Sequence, residues 1–336
     1  MPEFLSFKDV QQAAACIAGH IVTTPLLYSP LLDKQLGFRL LVKAENVQVT
    51  GSFKVRGAFN QMAQLTDQEK KNGVIAISSG NHAQAVAYAA GVFGVKTTIV
   101  MPHDAPRLKL DNTRRYGAEV VTYNRDTEDR EQVGAKLSRE RGLRMIHPYN
   151  DARTIAGQGT AGIEIFEQAK ARGLTADAIL INCSGGGLAA GVALTRDLYG
   201  DKPPDIYTAE PDTFDEMRAS LEAGKILHNQ KPSGSICDAL LAMSPGTHTF
   251  PILLDRNAKG LAASDICIEA AMSVAAEYFK LVLEPGGAVS LACACLKRDM
   301  FQEKTVVAVA SGGNVDPEAY TAMIRRGYSN RSMILT

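Results

Sequence analysis

The stretch Glu45-Asn46-Val47-Gln48-Val49-Thr50-Gly51-Ser52-Phe53-Lys54-Val55-Arg56-Gly57-Ala58 decides how the rest of the chain is read. Thr50-Gly51-Ser52 has the composition of a turn that opens a helix: glycine relaxes the backbone, and Ser52 can accept a hydrogen bond from the first free helix N–H groups. Lys54 then falls in the first helical turn between Phe53 and Val55. Apolar neighbours and the positive end of a helix both disfavour a charged amine. An amine so placed is a candidate Schiff-base former. The same words, taken alone, also describe an ordinary solvated lysine near a helix start.

Outward from that stretch, short β-branched runs alternate with longer helical patterns. Val74–Ile77 runs into Ser78-Ser79-Gly80-Asn81-His82 and the small-residue helix Ala83–Val92. Thr97–Met101, Glu119–Tyr123 and Leu143–Ile146 read as further extended segments, with helices over Arg107–Tyr116 and Asp126–Arg141 between them. The second half repeats the style. A helix over Ile155–Ala171 precedes the strand Ala178–Ile181, and a helix over Leu188–Leu198 precedes the strand Ile206–Ala209. The segment Pro211–Pro245 is less regular; helices over Ile266–Phe279 and Ala288–Leu296 then lead to a last strand, Thr305–Ala310. This alternation predicts an α/β fold with mainly parallel sheets flanked by helices.

The 336 residues suffice for two domains, and 46% of them are hydrophobic. The 36 basic residues balance 36 acidic ones, which argues against a protein that grips nucleic-acid phosphates. The first ten residues lack the apolar core of a signal peptide, and no apolar run is long enough to span a bilayer. A cytoplasmic location is the expectation. The six cysteines form no C-x-x-C pair and the six histidines are dispersed, so neither a zinc cluster nor a catalytic thiol is indicated.

Three strand-to-loop junctions carry chemistry. In Asn182-Cys183-Ser184-Gly185-Gly186-Gly187-Leu188 a strand feeds a glycine run that opens a helix, where inward N–H groups and the helix end can cradle one phosphate. A tight turn with positive φ is the other reading. The loop Ser78–His82 offers hydroxyls, a carboxamide and free N–H groups suited to a carboxylate, or simply a helix cap by serine or asparagine. Ser311, in Ser311-Gly312-Gly313-Asn314, follows the last strand, where parallel sheets place their ligands, and can donate to a ring nitrogen. A poised lysine, a phosphate cradle, a carboxylate loop and a neutral hydroxyl together meet the needs of pyridoxal-phosphate chemistry on amino acids.

In these words and in this order, the chain resembles the fold-type II (tryptophan synthase β-like) pyridoxal-phosphate enzymes, and within them the serine/threonine dehydratase and serine racemase group. Thr23-Thr24-Pro25-Leu26, Ile155-Ala156-Gly157-Gln158-Gly159-Thr160 and Glu284-Pro285-Gly286-Gly287-Ala288 are further matching words. The resemblance implies a large domain of residues 1–50 plus 151–336 and an inserted small domain of residues 51–150, with the cofactor in the cleft between them. It implies that Lys54 carries pyridoxal phosphate and later takes the substrate Cα proton. Phe53 packs beside the ring, Ser184, Gly185, Gly186, Gly187 and Leu188 bind the phosphate, Asn81 meets the phenolic oxygen and Ser311 the pyridine nitrogen. Ser78, Ser79, Gly80, Asn81 and His82 hold the substrate carboxylate.

The same resemblance frames the reaction. A neutral hydroxyl stabilises a protonated pyridine less than a carboxylate does, which favours prompt loss of a β-substituent over a long-lived carbanion. The expected activity is therefore elimination of water and ammonia from a small 3-hydroxy amino acid, L-threonine or L-serine first, with a hydroxyaspartate dehydratase or a serine racemase as alternatives. Ser79 stands where many dehydratases of the group carry alanine and racemases carry serine, so it reads either as a second acid/base or as a carboxylate ligand. Glu210, Phe214 (through its carbonyl) and Glu216 match a Mg²⁺ or Ca²⁺ loop, though the last acid is more familiarly aspartate. Ala239, in Cys237-Asp238-Ala239-Leu240, stands where dehydratases often carry glycine. A homodimer is implied as well. An amino-acid-binding protein and a nucleotide-linked dehydrogenase are the readings from other classes, and neither needs Lys54.

Overall fold

The computed structural model describes residues 5–335 except Pro106, Arg125 and Pro232, with residues 107–109 described by backbone only. Among the described residues ten strands build two sheets: β1 (Leu26–Tyr28), β2 (Arg39–Lys43), β3 (Val74–Ile77), β4 (Thr97–Pro102), β5 (Glu119–Tyr123), β6 (Arg144–Met145), β7 (Ala178–Asn182), β8 (Asp205–Pro211), β9 (Lys259–Ala263) and β10 (Thr305–Val309). The larger sheet has the order β1-β2-β10-β7-β8-β9, parallel throughout except for the antiparallel edge strand β1. The smaller, fully parallel sheet has the order β5-β4-β3-β6 and draws on one continuous piece of chain.

The central strand β10 shows why its sequence has no polar alternation. Val306 and Ala308 enter the core beneath the helices Asp265–Val274 and Pro285–Leu296. Val307 and Val309 enter the opposite core with Ile155, Leu188 and Val192. A strand buried on both faces reads as a continuous apolar run. In the smaller sheet, Val74, Ala76, Ile99 and Met101 meet Val55, Phe59 and Met62 of the helix Lys54–Ala63, together with Ala83 and Val86 of the helix Asn81–Val92. The lysine helix is thus part of that core.

The long helix Ala152–Lys170 joins the functional loops. A side chain at Gly157 would meet the carbonyl oxygen of Arg56 at 2.6 Å, and one at Gly159 that of Gly191 at 2.6 Å. The lysine helix and the helix Gly187–Leu194 therefore both cross it backbone against backbone. This close approach is the physical content of the Gly157-Gln158-Gly159 word.

Three local expectations are corrected. The helix read over Asp126–Arg141 starts at Arg130, because the Asp129 carboxylate accepts from Gln132 N at 2.8 Å and caps it there. The helix read to Leu198 ends at Leu194 and continues as a 3₁₀ turn, Thr195–Tyr199. The irregular segment after Pro211 contains a helix, Glu216–Ala223, whose first N–H groups are held by Glu210 from outside the helix. Among the described residues no helix is long and apolar enough to cross a membrane.

Candidate active site

Lys54 opens its helix, with Phe53 at the cap position. Ser52 does not cap it. Its backbone pairs with Gly312 in an isolated antiparallel bridge, which leaves its Oγ buried without a protein partner. Phe53 N donates to Ser311 O at 3.1 Å and Gly313 N to Gly51 O at 2.9 Å, so the lysine turn is strapped to the loop after β10. Lys54 Nζ donates to Pro148 O at 2.9 Å and lies 4.9 Å from the Phe53 ring centroid. Burial lowers its pKa to about 8, against the opposing pull of Glu284. A neutral, nucleophilic amine is therefore accessible near neutral pH.

The glycine run lies where β7 delivers it, ahead of the helix Gly187–Leu194. Gly185 O accepts from Gly246 N at 3.0 Å and from the Thr249 hydroxyl, which turns the peptide carbonyl away and leaves the following N–H facing the other way. The first N–H groups of the helix have no intrahelical acceptor. Gly186 has φ +93, and a side chain at Gly185 would fall 2.2 Å from the Tyr149 ring. A glycine run whose added side chains would strike Tyr149, Thr249 and Gln158 leaves room only for its own N–H groups, which suits an anion such as a phosphate. Ser184 contributes its Oγ as acceptor to Ala242 N at 3.1 Å, and Leu188 is buried and offers only its backbone. Cys183 is buried, which pushes its thiol well above the ordinary range, so no thiolate faces the site.

The loop Ser78–His82 lies at the carboxyl end of β3. Ser78 Oγ accepts from Gly80 N at 3.2 Å, Gly80 rather than a polar side chain occupies the cap, and Gly80 borders open space. The Ser79 hydroxyl is partly exposed and has no protein partner among the described residues. His82 turns its ring away: Nε2 lies 2.8 Å from Ile146 O, so only its backbone faces the loop. Asn81 Nδ2 donates to Glu284 Oε1 at 2.5 Å and its Oδ1 accepts from Asn314 Nδ2 at 2.7 Å. This ties the Ser78–His82 loop to the loop after β10.

Burial, then the charge of Lys54, lowers the His82 pKa to about 3, so its imidazole is neutral. Unfolding between that value and the ordinary histidine pKa takes up a proton, and stability rises with pH there. We expect folding stability to fall by about 1.4 kcal/mol per pH unit below roughly pH 6.5 from this group. Urea midpoints of wild type and His82→Asn between pH 4 and 7 check it: the variant is expected to lose that slope.

Residues that the sequence reading missed complete the site. Asn182 Nδ2 lies 2.9 Å from Ser311 Oγ. His147, Pro148 and Tyr149 bring Lys54 and the glycine run together, since Pro148 O also accepts from Gln158 Nε2 at 3.0 Å. Burial, then Lys54, lowers the His147 pKa to about 4, and its Nδ1 accepts from Asn150 N at 2.8 Å. Glu284 is visible in the sequence only as part of a matching word. Its role follows from the attraction to Lys54 and the bond to Asn81, which no sequence spacing announces.

Glu210 and Glu216 are both buried. Burial, with Glu216 adding to it, pushes Glu210 well above the carboxylate range, and burial pushes Glu216 up to about 8. Both Glu216 oxygens are buried without a partner, while Glu210 accepts from Met217 N at 2.9 Å and Arg218 N at 2.8 Å. A buried carboxylate with no cation or donor is costly, so this donor set fits a hard divalent cation. Among the described residues no cluster of three or more metal-type side chains occurs, so any such ion would rely on carbonyl and water ligands too.

Comparison with known proteins bears on these parts together. The profile of the family described as Pyridoxal-phosphate dependent enzyme matches residues 17–312. The chain is 39% identical to an L-threo-3-hydroxyaspartate ammonia-lyase of Pseudomonas sp over 321 residues, 95% of this chain and 98% of that protein. It is similar in structure to a threonine deaminase from T.th., with a TM-score of 0.87 and 43% identity over 93% of this chain and 99% of that one. Maize serine racemase gives a TM-score of 0.88 at 34% identity, over 98% of this chain and 100% of that one. The open glycine cradle, the partly buried amine and the buried Ser311 hydroxyl all fit the cofactor that this family uses. With a lysine, a cradle and a hydroxyl so arranged and matches spanning nearly the whole chain, the protein belongs to the pyridoxal-phosphate dependent enzymes, as a β-eliminating ammonia-lyase of the serine/threonine dehydratase and serine racemase group.

Proposed function

We propose that the chain dehydrates and deaminates a small 3-hydroxy amino acid to a 2-oxo acid and ammonia, with 3-hydroxyaspartate ahead of L-threonine and L-serine. The observation that carries the reaction class is the environment of Ser311: a buried neutral hydroxyl, accepting from Asn182, stands where a ring-protonating carboxylate would be. The first substrate rests on the full-length similarity to a hydroxyaspartate ammonia-lyase.

The chain's residues divide the work. The N–H groups from Ser184 to Leu188 would hold the cofactor phosphate, with Phe53 beside its ring and Asn81 at its phenolic oxygen. Bound pyridoxal phosphate supplies an electron sink for the pair left on Cα. Lys54 Nζ takes the Cα proton, which its lowered pKa permits near neutral pH. Ser78, Ser79 and the backbone N–H groups of Asn81 and His82 orient the substrate carboxylate at the start of the helix Asn81–Val92, and Gly80, its own N–H held by Ser78 Oγ, leaves the open space it enters. Residues 51–150 form the inserted small domain, and its closure on the rest excludes water. The assembly is a homodimer, to be checked by light scattering.

A second reading, partial racemase activity, is favoured by Ser79, whose hydroxyl is partly exposed and free of protein partners among the described residues. The test is an ammonia-release screen with the cofactor-loaded protein over both 3-hydroxyaspartate diastereomers, threonine, serine and phenylserine. Chiral analysis of the residual amino acid accompanies it. Release from a hydroxyaspartate is the expected result; absence of release from all five would overturn the reaction class.

Glu210, Glu216 and the Phe214 carbonyl would hold a Mg²⁺ or Ca²⁺ ion. The ion relieves the unpartnered Glu216 carboxylate, so chelation is expected to lower stability by about 2.7 kcal/mol at a hundredfold excess of metal over its Kd. Urea midpoints with EDTA and with added Mg²⁺ or Ca²⁺ check it. A Glu216→Gln protein should no longer respond.

A further inference from the structure

Asn182 ends β7 immediately before the Cys183–Gly187 loop and is 4% exposed. Its amide is held at both ends. Oδ1 accepts the Ser290 N–H, while Nδ2 lies 2.8 Å from Val309 O, 3.0 Å from Gly287 O and 2.9 Å from Ser311 Oγ. The Ser290 N–H fixes which end of the amide is which, because a flipped amide would set two donors face to face and its one oxygen against the Val309 and Gly287 carbonyl oxygens. Ser290 Oγ donates to Val309 O at 2.9 Å and braces the same corner.

A serine hydroxyl is amphoteric: one proton to give and two lone pairs to receive. Ser311 by itself therefore does not determine whether it donates to a neighbouring ring nitrogen or accepts from a protonated one. The amide nitrogen of Asn182 has no lone pair to offer, so the Ser311 proton cannot point at it; its two N–H groups are shared among Val309 O, Gly287 O and a lone pair of Ser311. We propose that Asn182 is a positioning residue that sets the hydrogen-bond polarity of Ser311, presenting its O–H as a donor and so keeping the pyridine nitrogen of the bound cofactor unprotonated. The inference rests on the pyridoxal-phosphate reading of the site and adds to it where the electronic choice is made: at residue 182, one strand away from the hydroxyl that touches the ring.

The test uses holoenzyme reconstituted with pyridine-¹⁵N-labelled pyridoxal phosphate and reads the nitrogen chemical shift by NMR. Wild type should show the shift of an unprotonated, hydrogen-bond-accepting pyridine. In Asn182→Asp, read at a pH high enough to ionise the buried carboxyl, the side chain still accepts from Ser290 N but now draws in the Ser311 proton. Ser311 then turns its lone pairs outward, and the nitrogen should move to the protonated shift. In Asn182→Leu, which removes the donor without supplying a new acceptor, the shift should become dependent on pH while wild type stays constant. A protonated pyridine in wild type overturns the proposal without any variant. Unchanged shifts in a cofactor-loaded variant overturn it equally. Failure of the wild-type protein to take up any cofactor would overturn the reading of the site and this inference with it, a result recognisable by the absence of any bound label.

Discussion

Replacing Lys54 with alanine is expected to lower ammonia release roughly a thousandfold, inside the hundred- to ten-thousandfold range of a positioned proton acceptor. The amine lies among Phe53, Pro148 and Glu284, and burial keeps its pKa near 8, so it is available as a neutral base in a way no surface lysine is. Lys54→Arg should be nearly as inactive, because a guanidinium does not give up its proton. Steady-state ammonia release at saturating cofactor and substrate measures both variants. Retention of more than a tenth of wild-type activity would remove Lys54 from the chemistry.

The largest stability effect is expected two residues further along the same helix. Arg56 is fully buried. Its Nε and Nη2 each lie 2.7 Å from a Glu45 oxygen, and Nη1 and Nη2 lie 2.7 Å and 2.9 Å from the two Glu164 oxygens. Lys43 Nζ joins Glu164 at 2.5 Å and Thr24 O at 2.7 Å. Although burial pushes the Glu45 carboxyl up, the Arg56 charge holds it below the usual carboxylate range. Arg56→Met strands a wholly buried carboxylate, so a loss of about 3–5 kcal/mol is expected, read as a lower urea midpoint at unchanged slope. Adding Glu45→Gln should return part of it, since the two side chains share one network. A loss under about 1 kcal/mol would show that the cluster does not hold the lysine helix to its neighbours.

Both effects concern a stretch that is legible in the sequence itself. Lys54, the glycine run and the β-α alternation depend on local words: a turn, a helix start, a strand buried on both faces. The strands Val74–Ile77 and Glu119–Tyr123 therefore have the bounds that the sequence predicts. Other features are not local. The strand Arg39–Lys43 is short and charged at both ends, and its pairing with β1 on one side and β10 on the other makes it a strand. Ser52 reads as a cap, but its bridge to Gly312 takes its backbone elsewhere. Asn182 gives no sign at all, because its role comes from Ser290 and Ser311, more than a hundred residues away. His82, read as part of the carboxylate loop, is tied by its ring to Ile146. Sequence words locate the loops; the partners each side chain takes come from the packing of two sheets.

The most direct measurement traps the bond between lysine and cofactor. Borohydride reduction of the cofactor-loaded protein, followed by proteolysis and peptide mass mapping, is expected to place a single pyridoxyl group on the ε-nitrogen of Lys54 within Ser52-Phe53-Lys54-Val55-Arg56. A pyridoxyl group on any other lysine, or on none, would contradict the account.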